Sequence, residues 1–236
     1  MYKRQPLSPS EIVNQAIKNQ CPSISYTYTE PTIFLEYALD TMKRAKEKGL
    51  RNVFVSNGYM TSETIKLLSD FLDAANIDLK SFNNESYLRN CGAKLEPVLE
   101  ALQLLRKFGV WVEITTLIIP DFNDSESELK QIAEFIAKKL GSEVPWHISR
   151  FHPAYNMMGM PSTPIETIHK ACEIGKKAGL KYIYSGNIPG DEFENTYCPH
   201  CGEIMIDRLG YEIERYDKDG KCSKCGTFLN IIEYKI

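Results

Sequence analysis

Asn52-Val53-Phe54-Val55-Ser56-Asn57-Gly58 is a β-branched run that stops at a turn pair, and a helical stretch over residues 62–72 follows. The same unit recurs on both sides. Strands are expected at 23–30, 52–56, 76–79, 111–119, 147–151 and 182–184, and helices at 35–48, 62–72 and 95–108. A further helix opens near Asn123-Asp124, read as an N-cap, and another behind Thr163-Pro164-Ile165-Glu166, read as a capping box. This is β/α repetition, not a long-period array of similar sequences. The expected fold class is therefore α/β, a partial (β/α) TIM-like barrel. The strand runs hand over to helices at Glu30, Asn57, Lys80, Thr115, His152 and Asn187. In a parallel barrel such positions gather on one rim, where polar side chains serve a ligand more readily than the fold.

The first expected helix comes before any strand. Ser8-Pro9-Ser10-Glu11 has the cap, the N1 proline and the reciprocal glutamate of a helix running to about Asn19. The strand at 23–30 would then lie at a sheet edge unless another precedes it, and an apolar edge is a liability. Beyond Gly190 the chain turns polar and Gly-rich. The expected division is 1–190 for the barrel and 191–236 for a small module.

That module carries Cys198-Pro199-His200-Cys201-Gly202 and Cys222-Ser223-Lys224-Cys225-Gly226. Two residues between thiolates let both sulfurs of a turn face one ion, and two such turns close a tetrahedral site. The ribbon form, two cysteine turns around a wet hairpin, points to zinc, hence a zinc ribbon. A rubredoxin-like single iron uses the same ligands, and two disulfides suit an oxidising compartment better than this chain. Cys21, Cys91 and Cys172 stand alone.

Composition excludes several classes. A net charge of −3 over 236 residues offers no broad basic field for nucleic acid. No apolar run reaches spanning length, and the first residues lack a secretory pattern, so no membrane partner and a cytoplasmic address are expected.

Each rim residue has a local explanation. Glu30 before Pro31 places negative charge at a helix start, Asn57-Gly58 is a common turn, and His152 before Pro153 suits a half-buried histidine. Asp78 and Lys80 alternate on one strand face, as an ion pair or as two groups reaching a pocket. An unprotonated Lys80 in an apolar pocket would suit a Schiff-base aldolase-like barrel.

Taken together, the segments Ser25-Tyr26-Thr27-Tyr28-Thr29-Glu30-Pro31-Thr32, Val55-Ser56-Asn57-Gly58-Tyr59-Met60, Asp78-Leu79-Lys80-Ser81-Phe82 and Ser149-Arg150-Phe151-His152-Pro153, with the terminal cysteine pairs, resemble the radical S-adenosylmethionine (radical SAM) superfamily. The resemblance is to the branch near pyruvate formate-lyase activating enzymes, and within it to the AmmeMemoRadiSam-system radical SAM enzyme. It implies a cofactor, S-adenosylmethionine, bound at the barrel mouth and cleaved to a 5′-deoxyadenosyl radical that abstracts hydrogen from a substrate. By the resemblance, Glu30 takes the methionyl ammonium, and Asn57, Asp78 and Lys80 approach the carboxylate or ribose. Thr115 falls where a relative carries arginine, and His152 lies near the adenosyl group. Both glycines of the family's Gly-Gly-Glu motif are replaced, by Tyr28 and Thr29. The resemblance also implies a [4Fe–4S] cluster held by Cys-x3-Cys-x2-Cys, a spacing this sequence does not contain. By itself the chain is expected not to cleave the cofactor. A protein substrate or a Memo-like gene-neighbour protein is the implied partner, and a non-catalytic subunit docking a cluster-bearing partner is the rival reading.

Overall fold

The computed structural model describes residues 6–210 and 212–231. It is an α/β fold. Six strands neighbour one another in chain order in one sheet: β1 (Ser23–Tyr26), β2 (Arg51–Ser56), β3 (Ala74–Asp78), β4 (Trp111–Ile118), β5 (Trp146–Arg150) and β6 (Ile183–Gly186). The pairs β1–β2, β2–β3, β4–β5 and β5–β6 are parallel. The chain forms two compact units, one within Met1–Ile77 and Pro97–Val112, the other Asp78–Glu96 and Glu113–Glu233.

In the first unit, helix α1 (Pro9–Lys18) opens on the capping box expected from sequence: Glu11 N–H donates to Ser8 Oγ, and Ser8 N–H donates to Glu11 at 2.7 Å. Helix α2 (Leu35–Glu47) buries Ala38, Leu39, Met42 and Ala45, the i, i+1, i+4, i+7 stripe of an amphipathic helix. A 3-10 turn, Pro31–Phe34, leads into it. Against α2 lies the buried face of β2, where Asn52 donates from one amide to Met42 and Phe71 carbonyls and accepts from the Tyr26 hydroxyl at 3.0 Å. A buried polar residue thus has its donors and acceptor satisfied. Helices α3 (Ser62–Leu68) and, later in the chain, α5 (Leu95–Lys107) complete the unit.

The second unit holds α4 (Asn84–Cys91), α6 (Glu126–Phe135), α7 (Ile165–Lys177) and strands β5 and β6. Helix α7 lies close to Trp146 and Ile183: a Cβ added at Gly175 would meet Ile183 Cδ1 at 2.8 Å and Trp146 at 3.2 Å. Val112, Ile114, Thr116 and Ile118 alternate with the less buried Trp111, Glu113, Thr115 and Leu117 along β4. A parallel strand covered on both faces reads as continuous apolar sequence. Here one face is packed and the other is polar and half-open.

The four-cysteine module also belongs to this unit. Strands β7 (Thr196–Tyr197), β8 (Ile204–Leu209) and β9 (Glu212–Arg215) form an antiparallel sheet. The Tyr182 hydroxyl ties the module to the strand region by donating to Leu229 O at 2.6 Å. Among the described residues no helix is long and apolar enough to cross a membrane.

Several expectations shift. The 23–30 run ends as a strand at Tyr26, because Tyr28 and Thr29 take left-handed backbone angles (φ 49° and 61°) before Glu30. The 62–72 helix stops at Leu68. Thr115 does not end its run, since β4 continues to Ile118. Thr163 is no capping residue: its hydroxyl donates to Ile118 O at 2.5 Å and accepts from Phe151 N–H, and Pro164 stands at the helix start without a side-chain cap. Asn123 is also not a cap; Ser125 caps α6. Helix α4 was not expected, being short and polar; Asn83 caps it and Gly92, at φ +62°, ends it.

Candidate functional site

At the end of β1 the carboxylate of Glu30 is fixed by groups from the end of β2. Ser56 Oγ donates to Glu30 Oε1 at 2.7 Å, and the Asn57 backbone N–H donates to Oε2 at 2.9 Å. Thr32 adds its N–H and hydroxyl to Oε1, so the same side chain also caps the turn starting at Pro31. Both readings of Glu30 therefore coexist. Oε1 is saturated, whereas Oε2 accepts one bond and keeps a lone pair for an ammonium group. The Asn57 side chain turns back to accept from Tyr59 N–H at 2.8 Å.

Gly58 makes this corner possible. Its φ is +73°, and a Cβ there would lie 2.6 Å from Ile77 Cγ2. Gly58→Ala adds backbone strain to a clash in packed surroundings and should destabilise the chain by about 2–4 kcal/mol. Urea unfolding, with Gly49→Ala at an open positive-φ site as reference, measures the steric part. Equal losses at both positions would show that the clash relaxes freely.

In the second unit Asp78 and Lys80 form an ion pair at 2.8 Å, both side chains partly exposed. Lys80 thus lacks the apolar enclosure a carbonyl-condensing amine requires. Its backbone is held on both sides: Lys80 N–H donates to the Tyr87 hydroxyl at 3.0 Å, and Asn123 Nδ2 donates to Lys80 O at 2.8 Å. Burial pushes the Tyr87 hydroxyl up to about 12, which keeps it a neutral hydrogen-bonding partner. Asn123, 1% exposed, also donates to Leu117 O and accepts from Ile119 N–H, each at 2.8 Å. Sequence reasoning missed this clamp, since a buried asparagine and a cap look alike in a chain. Asn123→Ala leaves buried backbone groups unpaired and should cost about 3 kcal/mol in urea unfolding; a loss below about 1 kcal/mol would mean that water replaces the amide.

His152 and Asn187 stand together in exposed positions. Asn187 Nδ2 donates to Arg150 O at 2.9 Å, while His152 is within 3.4–3.5 Å of Ser162 Oγ and Asn187 O. These are loose contacts. The imidazole is free to turn toward a ligand. Thr115 sits apart from them, beside His147 in the β4–β5 register, with its carbonyl accepting from Leu79 N–H at 2.9 Å.

The cysteine cluster is more sharply defined. Cys198 and Cys225 sulfurs are 3.6 Å apart, as are those of Cys201 and Cys222, and all four lie within 4.8 Å of one another. A tetrahedral ion with Zn–S bonds of about 2.3 Å sets sulfurs about 3.8 Å apart. The donors fit a single ion and are too close for a multi-iron cluster. Each turn repeats the same backbone: Gly202 N–H donates to Cys198 O, and Gly226 N–H to Cys222 O, both at 2.9 Å, with glycine φ of +72° and +75°. Hydrogen bonds from the Thr227 hydroxyl and backbone lower the Cys225 thiol to about 6, supplying a thiolate at neutral pH for metal capture.

No other group of three or more metal-binding side chains occurs among the described residues. Cys21 and Cys91 are exposed singly and Cys172 is buried. The residues present do not fit a three-cysteine [4Fe–4S] site.

Residues 1–136 match the Radical SAM superfamily, more than half of the chain, and the protein belongs to that superfamily. An uncharacterized protein of Methanocaldococcus jannaschii is 46% identical over 229 residues, covering 96% of this chain and 68% of that protein. The benzylsuccinate synthase activating enzyme of Thauera aromatica is 23% identical over 206 residues, covering 77% of this chain and 61% of its own. This chain therefore spans about two thirds of these relatives. Among solved structures, a domain of a pyruvate-formate lyase-activating enzyme from Bacteroides vulgatus superposes with TM-score 0.61 at 21% identity, covering 70% of this chain and 99% of that one. A radical SAM methyltransferase from Sphaerobacter thermophilus gives 0.60 at 16% identity, covering 84% of this chain and 62% of that one. At such identities these likenesses establish the fold.

Proposed function

We propose that the chain is the S-adenosylmethionine-binding part of a radical SAM enzyme of the activating-enzyme-like branch, close to the AmmeMemoRadiSam-system enzymes. The observation that carries this is the fixed Glu30 carboxylate, with one acceptor position open on Oε2. In this reading Glu30 receives the methionyl ammonium, and the Asn57 corner borders it. The resemblance assigns Lys80 and Asp78, an ion pair within the second unit, to the carboxylate or ribose, and the loosely held His152 to the adenosyl group. Thr115, which lies within β4, is kept as a cofactor-side position on the resemblance alone. Beside a reduced [4Fe–4S] cluster the cofactor would supply a radical for hydrogen abstraction, chemistry that this chain's own cysteines are not placed to support. This chain's residues contribute binding and orientation, and a chain with no fitting three-cysteine site should bind the cofactor without cleaving it.

The terminal cysteines, on this proposal, hold a structural zinc ion, since four protein ligands leave no open coordination position. A protein substrate is favoured by the relatives named as activating enzymes of other enzymes, a Memo-like protein being one candidate partner. The rival reading, a non-catalytic subunit docking a cluster-bearing partner, is favoured by the same lack of a cluster site. Reconstitution with iron and sulfide tests both readings at once, because a cluster formed on this chain alone contradicts each. Borohydride trapping with carbonyl metabolites tests the Lys80 aldolase alternative, and no adduct is expected.

A further inference from the structure

The half-open face of β4–β6 carries a second polar group, apart from Asp78, Lys80 and His152. Thr115, His147 and Tyr184 stand side by side in the parallel register, with Glu113 one step back on β4. His147 Nε2 lies 2.7 Å from Glu113 Oε2, and its ring stacks on Tyr184 with centroids 5.1 Å apart. The Tyr184 hydroxyl meets Thr196 Oγ1 at 2.9 Å, and burial raises its pKa above the ordinary phenol value, so it stays neutral. A carboxylate only accepts, so the proton of a neutral imidazole must sit on Nε2. Nδ1 is then an acceptor, and it has no partner among the described residues. The side chains of His147 and Glu113 are 31% and 34% exposed, open enough for contact and covered enough for orientation.

We propose that the Glu113–His147 pair is a substrate-binding site on this face, taking a hydrogen bond or a proton through His147 Nδ1 from an O–H or N–H group of a neutral polar ligand. In full transfer the ligand's O–H or N–H bond breaks, the proton bonds to Nδ1, the electron pair stays on the ligand, and the imidazolium is held by Glu113. The proton returns when the ligand leaves. An anionic ligand is disfavoured by the Glu113 charge, and Arg208, over the Tyr184 ring, is already bonded to Glu194 O and Thr196 Oγ1. Toward the strand ends the next row is Leu117, Ser149 and Gly186, with Ser149 Oγ lying over Gly186, and the ligand's way to His147 is the exposed part of the imidazole itself. The substrate role rests on the functional reading above; the accessible acceptor does not.

The test uses the full chain labelled with 15N-histidine, and diethyl pyrocarbonate as the probe, which acylates unprotonated, accessible imidazole nitrogen. Long-range 1H–15N spectra should show the neutral His147 ring with its proton on Nε2. Peptide mapping should place the ethoxycarbonyl group on Nδ1 of His147. Glu113→Ala should lower the Nδ1-to-Nε2 adduct ratio at least fivefold, and Glu113→Gln, whose amide oxygen can still accept from Nε2–H, should lower it less. A protected His147, a proton on Nδ1, or an unchanged ratio in the alanine variant would overturn the proposal. No S-adenosylmethionine enters the measurement. A chain that shows the adduct but fails to bind the cofactor refutes the functional reading and the substrate role that rests on it while the accessible acceptor stands, and the reverse pattern refutes this site alone.

Discussion

Replacing Cys198 or Cys222 with serine is expected to release one equivalent of zinc and open residues 196–231 to protease, while the six-stranded sheet stays folded. Apart from its cysteines the module's own core is small: Met205 and Leu229 are buried in its cluster with Ile231 packed against them, and Ile206 is buried on β8. So small a core cannot offset chain entropy, whereas a structural zinc site contributes on the order of 10 kcal/mol. Both cysteines are nearly buried, so the serine variant also leaves three thiols crowded around a lost ligand. Elemental analysis of the native chain and limited proteolysis of the variants are the measurements. Stoichiometric iron, no metal, or a serine variant as protease-resistant as the parent would contradict the zinc assignment. Metal loading should also weaken as pH falls, because protons compete for the thiolates.

How much of this was legible in the chain depends on how local each device is. The Ser8–Glu11 box was legible because its partners are three residues apart and need nothing else. The β/α rhythm was legible because strand and helix periods differ. The Thr163 box failed, although its letters were right, because the hydroxyl found Ile118 O across the fold. Asn123 failed the same way: its partners on Lys80 and Leu117 are distant or hidden until the strands pair. The end of β1 was overrun because Tyr28 and Thr29 carry β propensity while the backbone turns left-handed there. Of the candidate site, Glu30, Asn57, Asp78 and Lys80 could be read by position, but Ser56, the residue that fixes Glu30, gave no signal as an ordinary strand serine. The Glu113–His147 pair was invisible for another reason: its members lie 34 residues apart on neighbouring strands.

The second large effect concerns Glu30. A hydrogen bond to a charged group is worth roughly 1.5–3 kcal/mol, so losing the carboxylate should weaken S-adenosylmethionine binding at least about tenfold. Glu30→Ala also removes the acceptor of Ser56 and Asn57, and part of its effect would be structural. Glu30→Gln keeps an oxygen for Ser56 and Thr32 but sets an amide donor against the Asn57 N–H, so it removes the charge with less structural loss than alanine. The most direct measurement is calorimetric titration of S-adenosylmethionine into the native chain and into Glu30→Gln, under anaerobic conditions, followed by a search for 5′-deoxyadenosine after dithionite. The expected result is weak binding by the native chain, loss of at least tenfold in the variant, and no 5′-deoxyadenosine from either. Equal affinity in the two proteins, or cofactor cleavage by the native chain alone, would contradict the account.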